Sequence, residues 1–214
     1  MNNASLREAL INAALEMNES GINQGTSGNL SARCEGGMLV TPSALAYADL
    51  EPEDIVFVSE QGDASGRRTP SSEWRIHWDI YRNRADAHAI LHAHPAHCTT
   101  LACLEKPIPA FHYMVAVAGG PDIRCAAYAT FGTQSLSDNV LAALEGRNAC
   151  LMAQHGMVCL AADPGKTLSL AIEIEHLARV YRQCLQLGEP ELLDESEMQR
   201  VLEKFAVYKS ISIS

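Results

Sequence analysis

No uninterrupted apolar stretch in this 214-residue chain approaches the roughly 20 residues that cross a bilayer, so a helical membrane span is excluded. The first residues, MNNASLREALINAALEMNESG, lack the basic flank and apolar run of a secretory leader, and the expected location is the cytoplasm. Basic side chains are scarce, 16 Lys and Arg against 26 Asp and Glu, for a net charge of -10. Nucleic acid and anionic membrane surfaces demand a basic footprint, so neither is an expected partner. A phosphorylated small molecule stays compatible, because backbone amides and hydroxyls at a helix start hold a phosphate whatever the global charge. C-x-x-C pairs are absent, and the seven cysteines are odd in number and scattered. That argues against a disulfide framework or thiolate metal site, leaving the cysteines to be read as buried small apolar residues. Repeats and low-complexity tracts are missing too, and only SEQGDASGRRTP, residues 59 to 70, reads as a long loop. One domain spanning residues 1 to 214 is expected, long enough to bury roughly 70% of its unfolded surface.

What is present is apolar patterning with two periods. Leu6, Leu10, Ile11, Ala14 and Leu15 share one helical face, as do Leu170, Ile174, Leu177, Tyr181 and Leu185. Ser71 and Ser72 are N-cap candidates for a helix over roughly residues 73 to 84, with Trp74, His77, Trp78 and Tyr81 on one side. Strand-like runs are MLVT at 38 to 41, DIVFVS at 54 to 59, AILHAH at 89 to 94, and ACLMAQ with MVCLA between 149 and 161, hinged at His155 and Gly156. The fold class is α/β, a central and partly antiparallel sheet flanked by helices.

His92 and His94 stand two apart in a strand-like run, so both imidazoles leave the same face of the strand. Such a pair grips a metal or merely decorates an exposed strand. His155, in the turn Q-H-G, is able to reach over the sheet edge toward them, and three imidazoles with an open position describe a catalytic rather than a structural ion. Glu73, just inside a helix start, is either a dipole-stabilising carboxylate or a functional group beside those imidazoles. His77, His88, His97, His112 and His176 lack a partner at ligand spacing and read as structural, His97 being the nearest to the H-A-H pair. G-T-S-G-N (25 to 29), T-P-S-A (41 to 44) and P-S-S-E (70 to 73) are each an ordinary turn or cap alone, and together suit an anion.

These residues carry a resemblance. N-Q-G-T-S-G-N-L (23 to 30), M-L-V-T-P-S (38 to 43), P-S-S-E-W-R-I-H (70 to 77), H-A-H (92 to 94), I-P-A-F-H-Y-M (108 to 114), Y-A-T-F-G-T (128 to 133), Q-H-G (154 to 156) and L-E-K-F (202 to 205) follow in order. Over nearly its whole length the chain resembles the class II aldolase/adducin superfamily. The resemblance implies a metal-dependent aldolase that cleaves a ketose 1-phosphate, such as that of fuculose, 5-deoxyribulose or 5-methylthioribulose, to dihydroxyacetone phosphate and an aldehyde. It further implies that Gly28, Asn29, Ser43, Ala44, Ser71 and Ser72 surround the phosphate. His92, His94 and His155 would bind one divalent ion, zinc first, with cobalt or manganese as alternatives. Glu73 would be both acid/base and a ligand that leaves the ion as substrate enters.

Tyr113 would exchange a proton at the aldehyde oxygen, with Phe131 and Tyr208 on the aldehyde side. The assembly implied is a homotetramer with sites at subunit boundaries, so that Tyr113 serves a neighbouring site. Alternatives are a ribulose-phosphate 4-epimerase or methylthioribulose-phosphate dehydratase of the same superfamily, or a non-catalytic adducin-like interaction module. Two departures stand out: Ala44 occupies a position where glycine is expected, and the tail K-S-I-S-I-S after Tyr208 is unlike its relatives.

Overall fold

The structure, a computed structural model, describes residues 3 to 211, with side chains through residue 207. Eight strands form one sheet: β1 (Asn29–Cys34), β2 (Gly37–Val40), β3 (Val56–Ser59), β4 (Ala64–Ser65), β5 (Ala89–Ala93), β6 (Cys125–Ala126), β7 (Ala149–Met152) and β8 (Gly156–Ala161). Their order is β4-β3-β2-β1-β5-β8-β7-β6, and every pairing is antiparallel except β6 with β7. The helices are α1 (Asn3–Glu19), α2 (Trp74–Asn83), α3 (Ala96–Cys103), α4 (Gln134–Ala143), α5 (Pro164–Leu187) and α6 (Glu195–Ile211).

Alternation along the strands sorts side chains into two cores. Leu30, Ala32, Leu91, Ala93, Met157 and Cys159 pack with α1, α3 and α5. Ile90, Val158, Leu160, Cys150 and Met152 pack with α2 and α4 on the opposite face. His92 shares the parity of Ile90, and Asn29 and Ser31 alternate with Leu30 and Ala32. The polar residues of β1 and β5 therefore face α2, which buries Ile76, His77, Ile80 and Tyr81 against them.

Several expected boundaries shift. The run from 54 becomes a strand only at Val56, because Asp54 closes a 3-10 turn, Pro52–Asp54, whose capping box ties Asp54 to Glu51. Ser71 and Ser72 do not cap α2: Glu73 holds the N-cap position without a side-chain cap bond, and the Ser71 hydroxyl accepts from the Glu73 N–H at 3.3 Å. The Glu73 carboxylate is drawn away to the histidines instead. Cys98, Cys150 and Cys159 are buried as expected, whereas Cys34, Cys125 and Cys184 are half-buried and Cys103 is exposed at the end of α3.

Candidate active site

β5 ends at Ala93, and His92 and the following His94 leave its α2 face together. Three residues, 153 to 155, join β7 to β8 across the Met152↔Gly156 pair. In that turn Gln154 adopts a φ of 50°, a conformation sparsely populated outside glycine, and His155 comes to lie over the end of β5. Gly156 has no room for a side chain: a Cβ there would lie 2.4 Å from the Ala93 carbonyl oxygen and 2.7 Å from His94 Cδ2. Gly28 is equally confined, its Cβ position falling 2.8 Å from the His92 carbonyl oxygen.

Glu73 reaches this corner from the start of α2. Its Oε2 lies 3.0 Å from His92 Nε2 and its Oε1 3.3 Å from His155 Nε2, while His92 and His94 bring their Nε2 atoms to 2.9 Å. One ligand atom from each of Glu73, His92, His94 and His155 falls within 4.8 Å of all the others. His92 Nδ1–H donates to the Met157 carbonyl at 2.9 Å, which leaves the Nε2 lone pair facing the cluster, the usual outer contact of a metal-bound imidazole.

This donor set fits a divalent cation. Nitrogen atoms this close need a proton or a cation between them, and Glu73 Oε1 is buried with no hydrogen-bond partner, an orphan that an ion would satisfy. Three imidazoles and a carboxylate, with no thiolate, form a borderline oxygen and nitrogen site.

The charges agree. Burial acts to raise the Glu73 carboxyl, but a protonated His92 donating from Nε2, with His155 and His94, outweighs it and holds the group at about 2; against the burial of His92 the carboxylate raises that ring in turn, and a bound ion would take the place of the Nε2 proton. His94 is lowered to about 4 by burial and by its neighbours His92 and His155, and His155 is lowered to about 4 by burial and His92. Both therefore stay neutral, as ligands must be.

The loops expected to hold a phosphate meet beside the cluster. Ser43 N–H donates to the Thr69 carbonyl at 3.0 Å and Ser71 N–H to the Thr41 carbonyl at 3.1 Å, pairing residues 41 to 43 with 69 to 71. Thr41 is joined in turn to Leu30 by N–H to carbonyl, 2.9 Å, and by the Leu30 N–H to its Oγ1, 3.1 Å. Asn29 Nδ2 donates to Glu73 Oε2 at 3.4 Å. Ser43, Ala44 and Ser72 are exposed while Gly28, Asn29 and Ser71 are buried, so the loops form a wall with an open side. Ala44 takes the conformation of the expected glycine, φ 57°, despite its Cβ.

Tyr113 opens a 3-10 segment, Tyr113–Ala118, and is half-exposed on a groove formed with α6, which Leu193, Val201 and Phe205 also line and none of the four cluster residues does. Phe131 is exposed, yet its neighbour Gly132 would place a Cβ 3.3 Å from the Ser72 carbonyl oxygen, so that loop adjoins this wall. The Tyr208 side chain lies outside the described residues.

His97 stays out of the cluster; its N–H and that of Cys98 donate to Glu175, whose carboxylate caps α3. Three contributors escaped sequence reasoning: Glu175, Tyr47, whose hydroxyl donates to the Gly28 carbonyl, and His77. His77 alone left a trace, standing four residues after Glu73 and therefore on the same helical face.

The model of the Class II Aldolase and Adducin N-terminal domain matches residues 8 to 182. A 5-methylthioribulose-1-phosphate/5-deoxyribulose-1-phosphate aldolase of Rhodospirillum rubrum is 55% identical over 204 residues, 95% of this chain and 92% of its own. An L-fuculose phosphate aldolase of Escherichia coli K12 is 44% identical over 209 residues, 97% of both chains. The solved structure of an L-fuculose 1-phosphate aldolase, 39% identical, superposes with a TM-score of 0.92 over 95% of this chain and 97% of its own. With likeness of this extent in sequence and in fold, the chain belongs to the class II aldolase and adducin family.

Proposed function

We propose that this aldolase splits the C3–C4 bond of a ketose 1-phosphate, releasing dihydroxyacetone phosphate and a short aldehyde. The relative at 55% identity, named for 5-methylthioribulose 1-phosphate and 5-deoxyribulose 1-phosphate, makes these the first substrates, with L-fuculose 1-phosphate second. The observation that carries the reading is the convergence of Glu73, His92, His94 and His155, ligand atoms within 4.8 Å, beside the paired phosphate loops. We take residues 1 to 214 as one catalytic domain acting in the cytoplasm.

His92, His94 and His155, with Glu73, would hold one ion, for which we propose zinc, cobalt or manganese being alternatives a nitrogen and oxygen site also accepts. When bound, the ion supplies a Lewis acid that stabilises the negative charge developing as the carbon-carbon bond breaks. Gly28, Asn29, Ser43, Ala44, Ser71 and Ser72 grip the phosphate through amides and hydroxyls at the start of α2, where the helix dipole favours an anion. In the condensation direction the Glu73 carboxylate, held ionised, removes a proton from C3; in cleavage the same group returns it.

Tyr113 assists removal of the proton of the C4 hydroxyl, whose oxygen becomes that of the aldehyde, by hydrogen-bonding to that oxygen. Because Tyr113 faces a groove that no cluster residue lines, it would act on the site of a neighbouring subunit, in keeping with a homotetramer, with Phe131 and Tyr208 at the aldehyde end. Turnover of the three ketose 1-phosphates by metal-loaded protein, read as dihydroxyacetone phosphate, tests the proposal. The expected order places the two ribulose derivatives above L-fuculose 1-phosphate. If none releases dihydroxyacetone phosphate while an epimer or dehydrated product accumulates, the chain is an epimerase or dehydratase and the proposal fails.

A further inference from the structure

A line of buried polar groups zips α2 to β1 and ends on Glu73. α2 contributes Glu73, His77 and Tyr81, four residues apart on one face, and β1 contributes Asn29 and Ser31, two apart on one side of the sheet. Tyr81 Oη lies 2.9 Å from Ser31 Oγ, Ser31 Oγ 2.7 Å from His77 Nδ1, His77 Nε2 2.6 Å from Asn29 Oδ1, and Asn29 Nδ2 3.4 Å from Glu73 Oε2.

The chemistry of the last member fixes the direction of the line. An ionised carboxylate only accepts, so Asn29 must turn its NH2 toward Glu73 and its carbonyl toward His77. His77 Nε2 then carries the hydrogen. Full burial, with His92 nearby, lowers His77 to about 3, so the ring is neutral and Nδ1 accepts from the Ser31 hydroxyl. Ser31 in turn accepts from the Tyr81 phenol, and every donor points toward Glu73. The 3.4 Å contact is too long to orient the Asn29 amide by itself, whereas the 2.6 Å bond from His77 is not. With the amide reversed, a carbonyl oxygen would face the carboxylate.

We propose that His77, braced by Ser31 and Tyr81, is a positioning residue that locks the Asn29 amide and through it the Glu73 carboxylate. The inference rests on Glu73 acting as ligand and acid/base. Zinc affinity of the chelator-stripped protein is therefore measured beside turnover, so that a wrong substrate does not silence the test.

The variants are His77→Asn, His77→Gln, Asn29→Ala and the double variant His77→Asn/Asn29→Ala. Glutamine places an amide N–H where Nε2 stood and keeps the bond to Asn29; asparagine is too short to reach it. His77→Asn should lose roughly 10- to 100-fold in kcat and in zinc affinity, as outer partners of metal ligands do, with KM little changed. His77→Gln should stay within an order of magnitude of wild type. The double variant should be no worse than Asn29→Ala, since a residue acting only through Asn29 has nothing further to lose. Losses that multiply in the double variant overturn the proposal. So does equal impairment by Asn and Gln, or a His77→Asn protein whose unfolding midpoint falls while kcat and zinc affinity hold.

Discussion

Adding one carbon atom to Gly156 should damage the metal site without replacing a ligand. Gly156 does not occupy the left-handed region, so its backbone accepts alanine and the effect is purely steric. The new Cβ would sit 2.4 Å from the Ala93 carbonyl oxygen and 2.7 Å from His94 Cδ2, where an ordinary contact is about 3.4 to 4 Å. About 1 Å of overlap must be relieved by parting β5 from β8 or turning the His94 ring. Overpacking of this kind costs about 1 to 3 kcal/mol of stability. Metal ligands tolerate about 0.2 Å of displacement, and with about 1.4 kcal/mol per tenfold, zinc affinity should fall by about 10- to 100-fold. Chelator competition and urea unfolding read the two effects. Gly165→Ala, whose Cβ meets nothing closer than Asp163 Oδ1 at 3.6 Å, is the control and should be neutral or stabilising. A Gly156→Ala protein that binds zinc as tightly as wild type and unfolds at the same urea concentration would refute the reasoning.

Ala44→Gly removes about 1 kcal/mol of left-handed strain and adds about 0.4 to 1 kcal/mol of unfolded-state entropy, so unfolding should shift by less than about 1 kcal/mol. Buried His77 is lowered to about 3 in the folded protein against about 6.5 unfolded, so the unfolded chain takes up its proton first as pH falls. This contribution to stability is complete above about pH 6.5 and is lost as pH falls toward 3, with a limiting slope of about 1.4 kcal/mol per pH unit. Urea unfolding between pH 7 and 5 should show wild type losing more than His77→Gln; parallel curves would contradict it. Asp54 accepts the Nε–H of both Arg67 and Arg68 at 2.8 Å, just before the loop proposed to hold the phosphate, so Asp54→Ala should raise KM more than it lowers kcat in steady-state assays.

The strands β2, β3, β5, β7 and β8 and the helices α1, α2 and α5 were legible because residues such as Leu91, Ala93, Ile174 and Leu177 repeat with the periods of strand and helix, whereas α6 and the two-residue strands β4 and β6, β4 lying inside the segment read as a loop, were not. Nor was β1. Its residues Asn29 and Ser31 are polar and buried, so the alternation that marks a strand by hydrophobicity is hidden beneath a hydrogen-bonded network. Spacing marked only His92 and His94, a pair that also suits an exposed strand; His155 in its Q-H-G turn strengthened the reading, and the ligand roles of His155 and Glu73 came with the resemblance. Tyr47, Glu175 and His77 could not be picked out, since each acts through a partner more than 15 residues away that spacing along the chain does not disclose. Ala44 shows the opposite limit: the backbone holds a left-handed turn that its residue type disfavours.

Dihydroxyacetone phosphate release from 5-methylthioribulose 1-phosphate by chelator-stripped protein, titrated with zinc, tests the central claim most directly. The account predicts negligible cleavage by the stripped protein, full activity at one zinc per chain, and no recovery in His155→Ala at the same loading. Cleavage by stripped protein at the wild-type rate, or a fully active His155→Ala, would contradict it.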